Sequence, residues 1–203
     1  MMKLFFSPPS PYARKVRVLV RELGLLPRVQ EVEVQTTPVA PAPELTAVNP
    51  LSRIPTLVMD NGDPLFDSRV ISQYLASLAP DSFAFRNDQG PQRWASLRRQ
   101  ALADGMLDAA LARRYEMALR PKELHWAPWL DNQLGKVTRG LAMMAADVPA
   151  AWPELGLDAI AYASALGWIE FRMPEITWRQ THPPLAALCD ALAERASFIQ
   201  TKP

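Results

Sequence analysis

The chain has 203 residues, 49% of them apolar and 21% charged, with a net charge of +1 at neutral pH. That composition supplies a real core and excludes disorder. The near-zero charge gives no basis for a nucleic-acid surface, which needs a clustered basic patch. No run approaches the ~18–20 apolar residues of a membrane span. The first residues lack the apolar segment and small-residue cleavage site of a signal peptide. The lone cysteine, Cys189, excludes an internal disulfide framework and suits the cytoplasm. There are 20 prolines, about twice the usual ~5% share, and many sit at element borders.

Lys3–Phe6 reads as a strand, and the loop Ser7-Pro8-Pro9-Ser10-Pro11 cannot continue it because prolines remove ladder donors. Ser10 and Pro11 have the form of N-cap and first residue of a helix. Its apolar stripe is Val16, Leu19, Val20 and Leu23, and Gly24 is a natural end. Residues 28–34 carry valines at 29, 32 and 34, a second strand. Residues 36–43 form a proline-rich connector, and 44–48 one short helical turn.

Residues 49–71 read NPLSRIPTLVMDNGDPLFDSRVI. Thr56–Met59 and Pro64–Phe66 are short apolar runs around Asp60-Asn61-Gly62-Asp63, and Asn-Gly is a strong hairpin signal. Pro55 stands at the strand mouth, where a proline belongs, and its peptide bond can be cis. A kink there leaves the backbone N–H and C=O of Ile54 facing outward. Asp67-Ser68 opens a helix with Val70, Ile71, Tyr74, Leu75 and Leu78 as its apolar face. An unpaired extended backbone, a helix N-terminus that attracts anions and a carboxylate lie within one stretch. That set suits a small zwitterionic peptide.

Residues 79–91, rich in proline, glycine, asparagine and aspartate, read as a boundary. Beyond it the chain is helical. Residues 92–119 place Trp94, Leu97, Ala101 and Gly105 on one side. Residues 121–146 form a second region, interrupted near Pro128 and broken by Pro149 and Pro153. Leu157–Arg172 and Pro183–Arg195 are further helices. Asp104 and Asp108 share a helix face and are expected to answer Arg98, Arg99, Arg113 or Arg114. His125 and His182 lack partners at ligand spacing, so no metal is expected. Cys189 lies among Leu185, Leu188 and Leu192 and reads as a small buried hydrophobe.

N-P-L-S-R-I-P-T-L followed by D-S-R-V-I, after S-P-Y-A-R-K-V-R, resembles the glutathione transferase family, and the element order resembles that family along the whole chain. The segments ALADGMLDAAL and IEFR resemble its bacterial branch. The resemblance implies an α/β thioredoxin-like N-terminal domain (1–79), a linker (80–91) and an all-α C-terminal domain (92–203). It implies that Ile54, before a cis Pro55, pairs with the cysteinyl backbone of glutathione, and that Asp67 and Ser68 hold its γ-glutamyl end. Ser10 would bind the sulfur, ranking above Ser7. With Ser and not Cys at that place, thiol transfer and dehydroascorbate reduction are disfavoured. Pro9, Tyr12, Met106 and Tyr115 would wall the electrophile pocket.

The family often opens its central C-terminal helix with a Ser/Thr-x-x-Asp box. Here Gly156-Leu157-Asp158-Ala159 stands instead, which predicts a weaker start and no lost fold. The expected function is conjugation of glutathione, a co-substrate with no other cofactor, to a small hydrophobic electrophile by a cytoplasmic homodimer without nucleic-acid or membrane partners. The alternatives are a non-catalytic binding or regulatory relative, and a glutathione-dependent peroxidase or isomerase.

Overall fold

A computed structural model of the protein describes residues 1–82, 90, 92–148 and 155–203. Most of the 80–91 connector, and the Pro149 and Pro153 breaks, lie outside the described residues. The first element is β1 (Met2–Phe6). It pairs in parallel with β2 (Val29–Glu33) through the crossover helix α1 (Pro11–Glu22). After the short α2 (Pro43–Thr46), β3 (Thr56–Val58) runs antiparallel to β1 and turns into β4 (Pro64–Leu65). The sheet order is β2-β1-β3-β4. Gly62, at φ 92°, makes the hairpin turn, and its N–H donates to Met59. A residue with a Cβ is strained at that φ.

Helix α3 (Ser68–Ser77) follows. Its inner face is Ser68, Ile71, Ser72, Leu75 and Ala76, and Val70 is exposed. The expected face was rotated, because small hydroxyl residues fill the seam and Ser72 returns its O–H to the Ser68 carbonyl at 2.7 Å.

The C-terminal part is helical: α4 (Arg93–Leu119), α5 (Ala127–Asp147), α6 (Leu157–Arg172), α7 (Trp178–Thr181), α8 (Pro183–Ala193) and α9 (Ala196–Ile199). Pro128 does not interrupt α5. It lies in the first turn, where its missing N–H costs nothing. On α4 the expected face is the outer one: Trp94 is 69% exposed, and Ala101 and Gly105 also face out. Ser96, Gln100, Ala103, Asp104 and Leu107 are buried instead. The buried side mixes Met106 and Leu107 with small and polar residues, so apolar periodicity pointed to the wrong flank.

The α6 start has no side-chain cap at Gly156. The Asp158 carboxylate instead accepts from the Ala159 N–H at 3.1 Å and pairs with Arg99 at 3.0 Å. Arg98 and Arg99 both pair with Asp147, so these arginines serve the α4–α5–α6 junction and not Asp104.

Helix α1 lies between the two parts and is buried on nearly every side, including Arg14, Lys15 and Arg17. Val16, Leu19 and Val20 are fully buried in a core that includes Met2, Leu4 and Leu57 of the sheet, with Leu23 half-buried at its edge, so the expected stripe holds for that side. Arg17 lies 4.1 Å over the Phe6 ring and pairs with Glu31, which Arg21 also holds. The opposite flank meets α6 and α9. Glu22 accepts from Arg195 and from Ser197, and Arg21 reaches Gln200 at 3.2 Å.

Candidate functional site

The register puts the three suspected segments at one end of the sheet. Phe5 of β1 faces Thr56 of β3, and Leu57 faces Leu65 of β4. The C-terminal ends of β1 and β4 therefore coincide with the start of β3. Ser7–Ser10, Ile54–Pro55 and Asp67–Ser68 leave those ends side by side. Adjacent strands are about 4.8 Å apart, so the row is about 10 Å wide, the span of an extended tripeptide.

Ser10 caps α1, with its Oγ accepting from the Ala13 N–H at 3.2 Å. Its own O–H has no acceptor among the described residues. The half-buried serine can thus donate to an anion while the helix end adds its dipole. Ser7 contributes its carbonyl, which accepts from the Ser10 N–H at 3.0 Å.

The Ile54–Pro55 peptide bond is cis. No hydrogen-bond partner of the Ile54 N–H or C=O occurs among the described residues. A polar brace that sequence reasoning missed holds this loop. Buried Asn49 donates to Thr56 Oγ1 at 2.9 Å and to the Arg53 carbonyl at 3.1 Å, and Thr56 donates to that same carbonyl at 2.8 Å. The Asn49-Pro50 and Pro55-Thr56 pairs in the sequence were its only signal.

Asp67 caps α3, accepting from the Arg69 N–H at 2.9 Å, and its side chain is exposed. Ser68 is buried. The Phe66–Asp67 bond is also cis.

The Asp104–Asp108 pair found partners that the sequence did not suggest. Lys15 Nζ sits between the two Asp104 oxygens at 2.9 and 3.0 Å, both side chains almost wholly buried, and Arg69 Nε adds 3.1 Å. Burial pushes the Lys15 ammonium below its ordinary range, and Asp104 works against that shift. Asp108 takes a short hydrogen bond from the Tyr12 hydroxyl. Burial, then this carboxylate, raises the Tyr12 hydroxyl far above the usual phenol range, so it stays a neutral donor.

These contacts set the position of the suspected pocket wall. Tyr12 is half-buried against α4, and Tyr115 lies two turns beyond Asp108 on the same face. Pro9 is half-buried in the β1–α1 loop. Met106 does not belong with them. It is 3% exposed and packs on Gly140 of α5. Two residues past Asp104, a helix points the other way. A groove of about 340 Å³ between α4 and α5, lined by Met106, Lys136 and Arg139 among others, is likewise on that far side.

Burial pushes the Cys189 thiol up to about 12, as an inert core position requires. His125 bonds the Arg120 carbonyl at 3.0 Å. Among the described residues no cluster could hold a metal, and no helix is long and apolar enough to cross a membrane.

Known proteins match along the whole length. Residues 9–78 fit the family model "Glutathione S-transferase, N-terminal domain". The Escherichia coli (strain K12) protein named "Uncharacterized GST-like protein YibF" is 31% identical over 100% of this chain and 98% of its own. A glutathione transferase family member from Pseudomonas fluorescens Pf-5, solved with bound glutathione, is 43% identical with a TM-score of 0.93, covering 100% of this chain and 99% of the other. The same source gives a second structure, with bound S-(propanoic acid)-glutathione, at 43% identity, a TM-score of 0.90 and full coverage of both chains. With a thioredoxin-like sheet, an all-helical second part and this likeness from end to end, the chain belongs to the glutathione transferase family.

Proposed function

We propose that the protein binds glutathione along the end of its sheet, holds the sulfur as thiolate at Ser10, and conjugates it to a small hydrophobic electrophile. The observation that carries this reading is the Ser10 hydroxyl, fixed as an N-cap acceptor with its proton uncommitted, in a row with the unpaired Ile54 backbone and the Asp67–Ser68 helix start. Ile54 and Pro55 take the cysteinyl backbone, and Asp67 and Ser68 the γ-glutamyl end. The glutathione and S-(propanoic acid)-glutathione held by the Pseudomonas relatives support both the ligand and the thioether product.

The energetics suffice. Lowering the thiol pKa by ~2 units takes ~2.7 kcal/mol of differential stabilisation. A hydrogen bond to an anion supplies roughly 1.5–3 kcal/mol, and a helix N-terminus about 0.3–1. The thiol proton goes to water, and the thiolate forms the new C–S bond with the electrophile between Pro9, Tyr12 and Tyr115, either as a leaving group departs with its electron pair or as the π pair of an activated double bond shifts and takes a proton from water. We further infer a cytoplasmic homodimer, with glutathione as co-substrate and no other cofactor. The domain limits of 1–79 and 92–203 belong to the same proposal.

Ser10→Ala tests the reading. It should bind glutathione within a few-fold of wild type by calorimetry while losing turnover, because the lost bond favours the thiolate. Its pH–rate curve should move to higher pH. An unmoved curve removes Ser10 from the chemistry. Wild type that binds glutathione yet attacks no member of an electrophile panel replaces the enzyme reading with the binding-protein one.

A further inference from the structure

Resting on the conjugation reading above, we propose that the second substrate carries an anionic group, such as a carboxylate, and that Arg114 and Arg172 recognise it at the far end of the acceptor pocket. Helices α4 and α6 run side by side in the same direction. Arg99 meets Asp158 at their starts, and Arg113 meets Glu175 at 3.6 Å at their ends. Arg114 and Arg172 lie about four turns beyond the Arg99–Asp158 pair on its two helices, so they come together across the end of the seam. Both are half-buried. Burial, then the charge of Arg114, pushes the Arg172 guanidinium below its ordinary range, so the two cations repel.

The carboxylates around them are already taken. Glu116 pairs with Arg120 at 3.0 Å, Glu170 with Arg179 at 2.8 Å, and Glu175 with Arg113. Neither the Arg114 nor the Arg172 guanidinium has an ion pair or hydrogen bond among the described residues. Arg172 closes α6, where a cation answers the helix C-terminus. Arg114 has no such reason, since it stands more than a turn before the end of α4.

Their place relative to Ser10 follows from α6. Ser164 and Trp168 line a crevice with Pro8, Pro9 and Ser10. Phe171 is the next residue of that row at helical spacing, and it is 46% exposed. The Arg172 guanidinium lies 4.0 Å over the Phe171 ring, which draws it from the seam toward the β1–α1 loop. Stacking occupies the face of a guanidinium and leaves its N–H fork for an oxyanion. Arg114 is next in sequence to Tyr115, a suspected wall on the other side. Two aromatic rings with two unanswered cations beside them suit an acceptor with a flat apolar body and an anionic end.

The test pairs two acceptors with one reactive centre, 4-chloro-3,5-dinitrobenzoate and its amide. With either, the thiolate forms a C–S bond at the carbon bearing chlorine, and chloride leaves with the bonding pair. The ratio of kcat/KM, benzoate over amide, should fall about tenfold in Arg172→Met and in Arg114→Met. Arg172→Lys, which keeps the charge, should keep more of the ratio than Met does. A ratio unchanged in both Met variants overturns the inference and leaves the conjugation reading standing. Calorimetry with the preformed glutathione thioethers of the two acceptors asks the same question without turnover. In the Met variants the carboxylate thioether should lose about tenfold more affinity than the amide one, and equal losses overturn the inference. A loss for glutathione itself as large as for the carboxylate thioether assigns the pair to the peptide's own carboxylates and also overturns it. Wild type that conjugates neither acceptor yet binds both thioethers overturns the conjugation reading, and the calorimetric comparison then decides anion recognition by itself.

Discussion

Asp104→Ala leaves the buried Lys15 without its paired carboxylate, with only the weaker pull of the exposed Asp67, and the size of the effect can be worked out. Breaking a buried pair by removing one partner costs about 3–5 kcal/mol. An independent ceiling comes from protonation. The chain can always bury a neutral amine, and at pH 7 neutralising a lysine of pKa ~10.4 costs about 4.6 kcal/mol at ~1.36 per unit. Arg69 adds little, since it is 44% exposed and stays near Asp67. The expected loss of roughly 3–4.5 kcal/mol lowers the melting temperature by about 6–18 °C, at ~2–4 °C per kcal/mol for a chain of this size.

The ceiling also sets a pH dependence. In the variant the folded Lys15 pKa lies below its unfolded value. The unfolded state therefore binds more protons, and stability rises with pH. Two units from pH 7 to 9 should remove up to ~2.7 kcal/mol of the penalty. Urea unfolding of wild type and variant at both pH values measures this, and the double variant Lys15→Met with Asp104→Leu should regain most of the loss. A penalty below about 1 kcal/mol, or one that does not shrink with pH, would refute the account of Lys15 as a desolvated cation held by one carboxylate.

Ser68→Ala should raise the glutathione dissociation constant about 10- to 150-fold if its hydroxyl meets a carboxylate, from roughly 1.5–3 kcal/mol, and unchanged calorimetric binding would count against it. The Arg195 hydrogen bond, opposed by burial and aided by Ser197, holds the Glu22 carboxyl below the ordinary glutamate range. Its contribution is therefore present above the unfolded pKa and lost as pH falls through the folded one. Glu22→Gln should flatten the acid limb of a stability-against-pH curve below the ordinary glutamate value of 4.5, and an unaltered limb would show that this contact adds nothing.

The ends of elements were legible in the sequence because local chemistry decides them. Ser10-Pro11, Asn61-Gly62 and Asp67-Ser68 each act within three residues, and each stands where its residue types predict. The faces were legible only where one side meets the core and the other meets water. Helix α1 shows the limit: its valine and leucine stripe names the sheet side, but nothing in the spacing says that Arg14, Lys15 and Arg17 are buried too. Their environment is made by Asp104, Phe198 and Glu31, which are 89, 184 and 14 residues away. Helix α4 failed for the related reason that its inner side carries polar residues: Gln100 donates to Ser96 one turn back, and Asp104 is satisfied by the distant Lys15. The Asp104–Asp108 spacing did mark a site, and only the third dimension supplied Lys15 and Tyr12.

The flank of α1 that α6 and α9 cover also has a history in time. During synthesis the sheet-facing residues can find β1 and β2 early, but Gly167, Arg195 and Phe198 leave the ribosome well over a hundred residues later. At ~5–20 residues per second that interval is roughly ten to thirty seconds. A flank waiting so long in water is safer wearing Arg14, Arg21 and Glu22, which later meet Phe198, Gln200 and Arg195, than leucines, which would offer nascent chains a surface to stick to. The helix that carries Ser10 can thus remain dissolved and harmless until its distant partners arrive, and the charges that later lie buried have by then already served as its solubility tag.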